Sequence, residues 1–409
     1  MQRYLDRGGY ALADQVIAGG MNFLTMILVG RLAGAHQLGL FALGLSIVYM
    51  VIAVQESIVT TPATIASPRL GDEERRQFFG ASLVMQGTLS ALVFAVLLSA
   101  SCAVWFTPGH AEGAAGLAVL AIVAPLWCLR EFCRRLAFAQ LNPKDVLALD
   151  AFVAVLLGSG LAGLIATNQL SAATAFAAAG MSAGVGAACW LMLRRRYFQV
   201  DVRKVSAALR GNMVTGKWIL SGQATSIATA EAMPWIVAGM LGTEATGVFA
   251  ACRAIFRVAN PFVVTVSNLI TPYAAHAYAE GGQSQVNSIV RSAMLGLGAL
   301  MTVFLLFLAA FGGVMLELLF GPQFAQHYWI LIILAVSQIA LLVRMGPARG
   351  LMVVDRPQLG VAAELLGCTV LLASAVPLIA VWGLYGAAAS VLASTASASL
   401  VCIVLYRHV

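Results

Sequence analysis

Runs of about twenty apolar residues recur from one end of this 409-residue chain to the other, and few folds accommodate them. A hydrocarbon core about 30 Å thick takes about 20 residues of helix, within which every backbone N–H must find its own carbonyl. The spacing predicts twelve spans, at about 9–30, 39–62, 78–104, 113–137, 145–166, 171–193, 217–240, 245–271, 289–312, 326–345, 357–379 and 383–405. Apolar residues make up 61% of the chain and charged residues 10%, against roughly half and a quarter in an average soluble domain. No residues are left over for a second, soluble domain. The first apolar run has no small-residue cleavage site after a short core, so it is expected to be a retained span rather than a signal peptide.

The charges orient these spans. Of the 24 Lys and Arg residues, 21 fall on one side once the spans are threaded through a bilayer. By the positive-inside rule that side is cytoplasmic, which predicts a multi-pass protein of the cytoplasmic (inner) membrane with both termini inside. Arg31, Arg253 and Arg257 are the exceptions. A net charge of +7 would suggest nucleic acid for a soluble protein. Here topology and anionic lipid at the cytoplasmic face account for it, so no nucleic-acid partner is expected. The seven Cys lie in apolar segments without a CxxC pair and the five His are scattered, so neither a disulfide frame, a metal nor a cofactor is expected.

A weak internal repeat runs at an offset of 208. Gly39-Leu40-Phe41-Ala42 maps onto Gly247-Val248-Phe249-Ala250, Gln15 maps onto Gln223, and Thr61-Pro62 answers Thr271-Pro272 with a two-residue slip. Six spans precede the basic stretch and six follow it, so the halves enter the membrane in the same orientation. The expected fold is an all-α polytopic membrane protein, with twelve transmembrane helices in two six-helix lobes related by a pseudo-twofold along the membrane normal. The lobes are 1–193 and 217–409, joined by a basic cytoplasmic linker, 194–216. Such a parallel repeat suits a transporter whose lobes rock about a central cleft; a duplicated scaffold for a synthesis complex is the other reading.

Several segments carry a resemblance. Asn22-Phe23-Leu24 through Val29-Gly30-Arg31-Leu32, followed by Leu38-Gly39-Leu40-Phe41-Ala42, resembles the opening of polysaccharide-biosynthesis membrane proteins, the Wzx-type flippases of the multidrug/oligosaccharidyl-lipid/polysaccharide exporter superfamily. Leu319-Phe320-Gly321-Pro322-Gln323-Phe324 is similar to the loop before their tenth span, and Gly383-Leu384-Tyr385-Gly386-Ala387-Ala388-Ala389 to the start of their last. The resemblance implies a twelve-helix fold that moves an isoprenoid-pyrophosphate-linked oligosaccharide from the cytoplasmic to the external leaflet. The implied partners are that substrate and the glycan polymerase and glycosyltransferases of the same pathway, and a monomer is expected. Two features depart from related groups: the first span lacks the mid-depth Asp of cation-coupled drug exporters, and the two further spans usual in lipid II flippases are absent.

Charges within the spans are the candidate functional groups, because an ionised side chain in hydrocarbon is costly unless it meets water, protein or a partner. Arg253 and Arg257 stand four apart on one helix face, roughly 12 and 18 Å below its external end. A guanidinium fork can hold a pyrophosphate at two points and stays charged at any relevant pH. The bland reading pairs Arg257 with Glu231 as an internal clamp. Arg130 and Arg134, beside Glu131, are further substrate candidates at the cytoplasmic end of the fourth span. Glu56, Asp14, Asp150 and Glu364 lie in the cytoplasmic half as gating or ion-coupling candidates, or as partners for an Arg. Pro125, Pro234, Pro261 and Pro377 are expected to kink their helices. Two other functions remain: a cation-coupled multidrug exporter of the same superfamily, and a membrane-embedded polymerase or glycosyltransferase. The second would need a large catalytic loop, and every loop here is short, so an enzyme is not expected.

Overall fold

The computed structural model describes residues 2–107, 111–140, 142–200, 202–257, 298–353 and 356–408, with isolated positions between 285 and 296. These residues are almost entirely α-helical. In chain order the helices are α1 (Gln2–Leu28), α2 (Gly34–Gln55), α3 (Thr61–Ala66), α4 (Asp72–Trp105), α5 (Ala111–Ala139), α6 (Pro143–Ala166), α7 (Ala172–Leu193), α8 (Val202–Leu241) and α9 (Thr243–Arg257). Then follow α10 (Gly298–Phe320), the single turn α11 (Pro322–Ala325), α12 (Tyr328–Val353), α13 (Pro357–Trp382) and α14 (Leu384–Arg407).

Among the described residues nine helical stretches are long and apolar enough to cross a membrane. The first, Ala13–Ala66, contains two of the expected spans. It doubles back where a π-helical turn, Val29–Ala33, runs into Gly34 at φ +90°, a conformation that costs glycine nothing. The two arms lie antiparallel, and Asn22 of α1 donates to the Tyr49 hydroxyl of α2 at 3.0 Å. Pro261 and the Thr271-Pro272 dipeptide lie outside the described residues. Residues 202–216, expected as part of a linker, are instead the first turns of α8, a helix 40 residues long.

The chain divides into two compact units, one of residues 1–25 and 40–227, the other of residues 26–39 and 228–409. In the first, α5 packs against α4, α6 and α7. Its core gathers Phe79, Phe132, Leu136, Val146, Leu149 and Trp190. Small residues set the spacing: a Cβ on Gly180 of α7 would lie 2.3 Å from the Val123 side chain, and one on Gly186 2.4 Å from that of Val153. Phe198, just before α8, packs on this same core, and a Cβ on Gly80 would meet the Gln199 carbonyl at 2.2 Å, so the stretch after α7 is built into the unit.

In the second unit α14 packs between α12 and α13 around Leu351, Ala363, Cys402 and Tyr406. Here the motif glycines mark where backbones or rings come closest. A Cβ on Gly30 would touch the Phe320 ring at 2.8 Å, and one on Gly386 would strike the Leu378 carbonyl at 2.0 Å. The offset of 208 is visible directly. Gly34 and Gly242 both take a left-handed φ, +90° and +89°, before α2 and α9. Gly39 and Gly247 then cross in a reciprocal contact: a Cβ on Gly39 would lie 1.8 Å from the Thr243 oxygen, and one on Gly247 1.9 Å from that of Ala35. Thr243 is itself 208 positions after Ala35, so the two helix starts are related by a local twofold. His36 Nδ1 and Thr243 Oγ1 close the contact at 2.6 Å.

Candidate functional site

The charged residues of the first unit come together in one buried network. α5 supplies Arg130, Glu131, Arg134 and Arg135, all within six positions, so that Glu131 reaches both Arg134 and Arg135 along its own helix. Arg134 is the hub: its Nη2 lies 2.8 Å from Asp14 Oδ2 on α1, its Nη1 2.8 Å from Glu131 Oε2, and its Nε 2.7 Å from Asp150 Oδ2 on α6. Arg130 Nη2 holds the other oxygen of Asp150 at 2.6 Å. Arg135 bridges Glu131, at 3.0 Å, and Glu56. Asp14 and Asp150 are fully buried and the Arg134 side chain is 11% exposed.

Backbone geometry and glutamines support this cluster. Glu56 opens a π-helical turn, Glu56–Thr60, in which the Thr61 N–H reaches back to the Glu56 carbonyl. Such turns often stand at functional positions. Gln55 donates to the Cys128 carbonyl of α5 at 2.8 Å. Gln15 donates to Asp14 at 3.3 Å, and its repeat partner Gln223 bonds Glu56. Above the network a cavity of about 50 Å³ is lined by Asn22, Thr25, Trp127, Arg130 and Asp150 among apolar residues, enough room and polarity for a few waters.

Three guanidiniums thus face four carboxylates. Each carboxylate has a guanidinium, and one negative charge is in surplus. Asp14 Oδ1 is buried with no hydrogen-bond partner. The arginines expected to meet substrate, Arg130 and Arg134, are engaged by these acids in this structure.

The second unit carries two smaller pairs. Arg344 of α12 pairs with Glu364 of α13. They stand 214 positions after Arg130 and Asp150, just as Pro357, at the start of α13, stands 214 after Pro143 at the start of α6. The same clamp therefore joins equivalent helices in both halves, while no acid in the second half corresponds to Asp14: its counterpart at 208 is Gly222. Glu364 consequently belongs to a pair that the fold repeats.

On α9, Arg253 meets Glu231, with Nη2 3.6 Å from the carboxylate and 3.0 Å from the Ala230 carbonyl of α8. The Arg257 backbone ends α9; its side chain lies outside the described residues. Phe249, Ala251, Cys252, Ala254 and Ile255 around Arg253 are buried, so the guanidinium, 24% exposed, lies on the more open side of an otherwise packed helix. At 1.5 Å per residue it is about 15 Å from the start of α9, near mid-depth in a core about 30 Å thick. Arg135 and Asp150 complete the first network. The sequence signal for Arg135 was its i+4 spacing from Glu131.

The described residues thus form a duplicated all-α fold of long apolar helices with ionic residues buried at helix crossings. The solved structures it resembles are of that kind. Over 96% of this chain and 94% of the other it is similar to an inward-facing multidrug resistance MATE family transporter of the MOP superfamily, at 14% identity and a TM-score of 0.79. An outward-facing multidrug resistance MATE family transporter matches over 98% and 93% at 14% identity and 0.67. A MOP superfamily transporter from Pyrococcus furiosus, described as having a binding pocket of reverse polarity that suggests a different function, matches over 98% and 93% at 15% identity and 0.69. No family model and no curated protein matches the sequence. At these identities the likeness establishes the fold.

Proposed function

We propose that this chain is a flippase, which carries an isoprenoid-pyrophosphate-linked oligosaccharide from the cytoplasmic to the external leaflet by alternating access. Arg253 and Arg257 take up the pyrophosphate, the sugars follow the headgroup, and the lipid tail stays in the bilayer. The shared fold supports transport, since it accommodates both inward-facing and outward-facing proteins. The observation that carries the choice of an anionic cargo is the charge balance. Every carboxylate of the first unit's network is held by a built-in guanidinium, so an organic cation would have to displace an arginine, whereas α9 offers a partly open arginine at mid-depth.

Of the four groups assigned to gating or coupling, Asp14 has the unpartnered oxygen and belongs to the cluster with surplus negative charge, a place for one proton. Glu56 closes the same cluster, Glu231 holds Arg253, and Glu364 is a clamp. The working form is a monomer in the cytoplasmic membrane with both termini inside, beside the polymerase and glycosyltransferases of its pathway. In a strain lacking its own flippase, the chain should restore polymer export and the Arg253→Ala/Arg257→Ala variant should not. Each charge-assisted contact to phosphate contributes about 1.5–3 kcal/mol, so losing two lowers transport by more than about a hundred-fold. Full export by the normally expressed double variant would remove the anion role. A second reading, a cation-coupled drug exporter, is favoured by the likeness to multidrug resistance transporters. It predicts that expression raises resistance to amphipathic cations, and that Asp14→Asn abolishes this.

A further inference from the structure

Pro234 lies inside α8 and has no N–H to give the carbonyl four residues earlier. That carbonyl belongs to Ala230, and it is the one that Arg253 reaches from α9, at 3.0 Å. The neighbouring residue, Glu231, supplies the opposing charge at 3.6 Å. One turn of α8 thus offers Arg253 two attachments: an oxygen that the proline deprives of its helical partner, and a carboxylate. In hydrocarbon such an oxygen is costly to leave bare, which is why proline breaks in membrane helices are met by neighbouring groups.

We propose that Arg253 is a latch between the proline turn of α8 and the cargo site. With the site empty, the guanidinium caps Ala230 and holds α9 to α8 one turn before Pro234. An arriving pyrophosphate competes for the same fork, and because phosphate oxygens accept at two points it wins the guanidinium. The Ala230 carbonyl then loses its cap and α8 settles into a different bend at Pro234. Part of the binding energy of the cargo is thereby spent on moving a helix, which is the differential interaction a conformational response requires. The inference rests on reading Arg253 as a phosphate ligand. The competing account is a static clamp that never lets go.

The two separate in a binding measurement with farnesyl pyrophosphate as the probe, titrated calorimetrically into the purified full-length protein in detergent. Arg253→Ala weakens binding about ten-fold or more. Pro234→Ala restores an N–H to the Ala230 carbonyl, makes the cap redundant and tightens binding several-fold. Glu231→Gln removes the competing charge without touching the backbone and also tightens it, so either variant decides the matter if the other fails to fold. Adding Arg253→Ala to either abolishes the gain. Binding that needs Arg253 yet is unchanged or weakened in Pro234→Ala and Glu231→Gln would overturn the latch and leave the phosphate site standing. Binding that is absent, or equal in Arg253→Ala and the parent, would overturn the phosphate site and the latch together.

Discussion

Arg134→Ala is expected to lower the stability of the protein by about 3–5 kcal/mol, the usual cost of removing one partner from a buried ion pair. The cause is what stays behind. Asp14, Glu131 and Asp150 all form ion pairs with this one guanidinium, and without it they are left to Arg130 and Arg135 alone. The acids are a different case. Asp14→Asn takes away the surplus negative charge and should cost far less than the arginine, so the order of damage is Arg134→Ala, then Arg134→Lys, then Asp14→Asn. Lysine keeps the charge but has no planar fork to span three carboxylates. Combining Arg134→Ala with Asp14→Asn should recover part of the loss, the coupling expected of residues in one network. Thermal unfolding in detergent reads all four. An Arg134→Ala variant within about 1 kcal/mol of the parent would mean that the acids titrate or hydrate freely, and that the network is not the closed unit described.

The second large effect is expected at Gly39 and Gly247. Alanine at either would place a carbon 1.8 or 1.9 Å from a carbonyl oxygen of the opposing helix, with no flexible side chain to yield. The helices must move apart, and overpacking of this kind costs about 1–3 kcal/mol. Because the contact is self-complementary, the two substitutions should be equally damaging, and the double variant less than additive, since one separation relieves both clashes. Gly87→Ala and Gly163→Ala are the controls: both are helical with nothing within 4 Å of the new carbon, and each should gain up to about 1 kcal/mol from helix propensity. Unequal effects at Gly39 and Gly247 would argue against the local twofold.

Much of the fold could be read before any coordinates. Apolar run length is a property of single segments, so the long apolar helices followed from it. The repeat was legible at 208 because Gly34, Gly39 and their partners keep that spacing through α2 and α9. It was hidden at Arg130–Asp150 and Arg344–Glu364, where the offset has grown to 214 and the acids differ. The network's members were mostly recognised singly: Arg130, Glu131, Arg134, Asp14, Asp150 and Glu56 each drew notice as a charge within a span. That they meet could not be foreseen, because which faces of α1, α2, α5 and α6 come together is set by packing. Two signals were available. Three arginines and a glutamate within six positions of α5 make a face that must be neutralised from other helices. A proline at 234 leaves an oxygen at 230, which asks for a donor, and Arg253 supplies it.

The most direct test is transbilayer movement in reconstituted liposomes. An isoprenyl-pyrophosphoryl glycan is placed in one leaflet, and a membrane-impermeant lectin or glycosidase reports when its headgroup reaches the other. The account predicts movement with the parent protein, almost none with Arg253→Ala/Arg257→Ala, and no comparable movement of a cationic amphiphile. A headgroup that stays in place with correctly folded protein, or that crosses equally well without both guanidiniums, would contradict it.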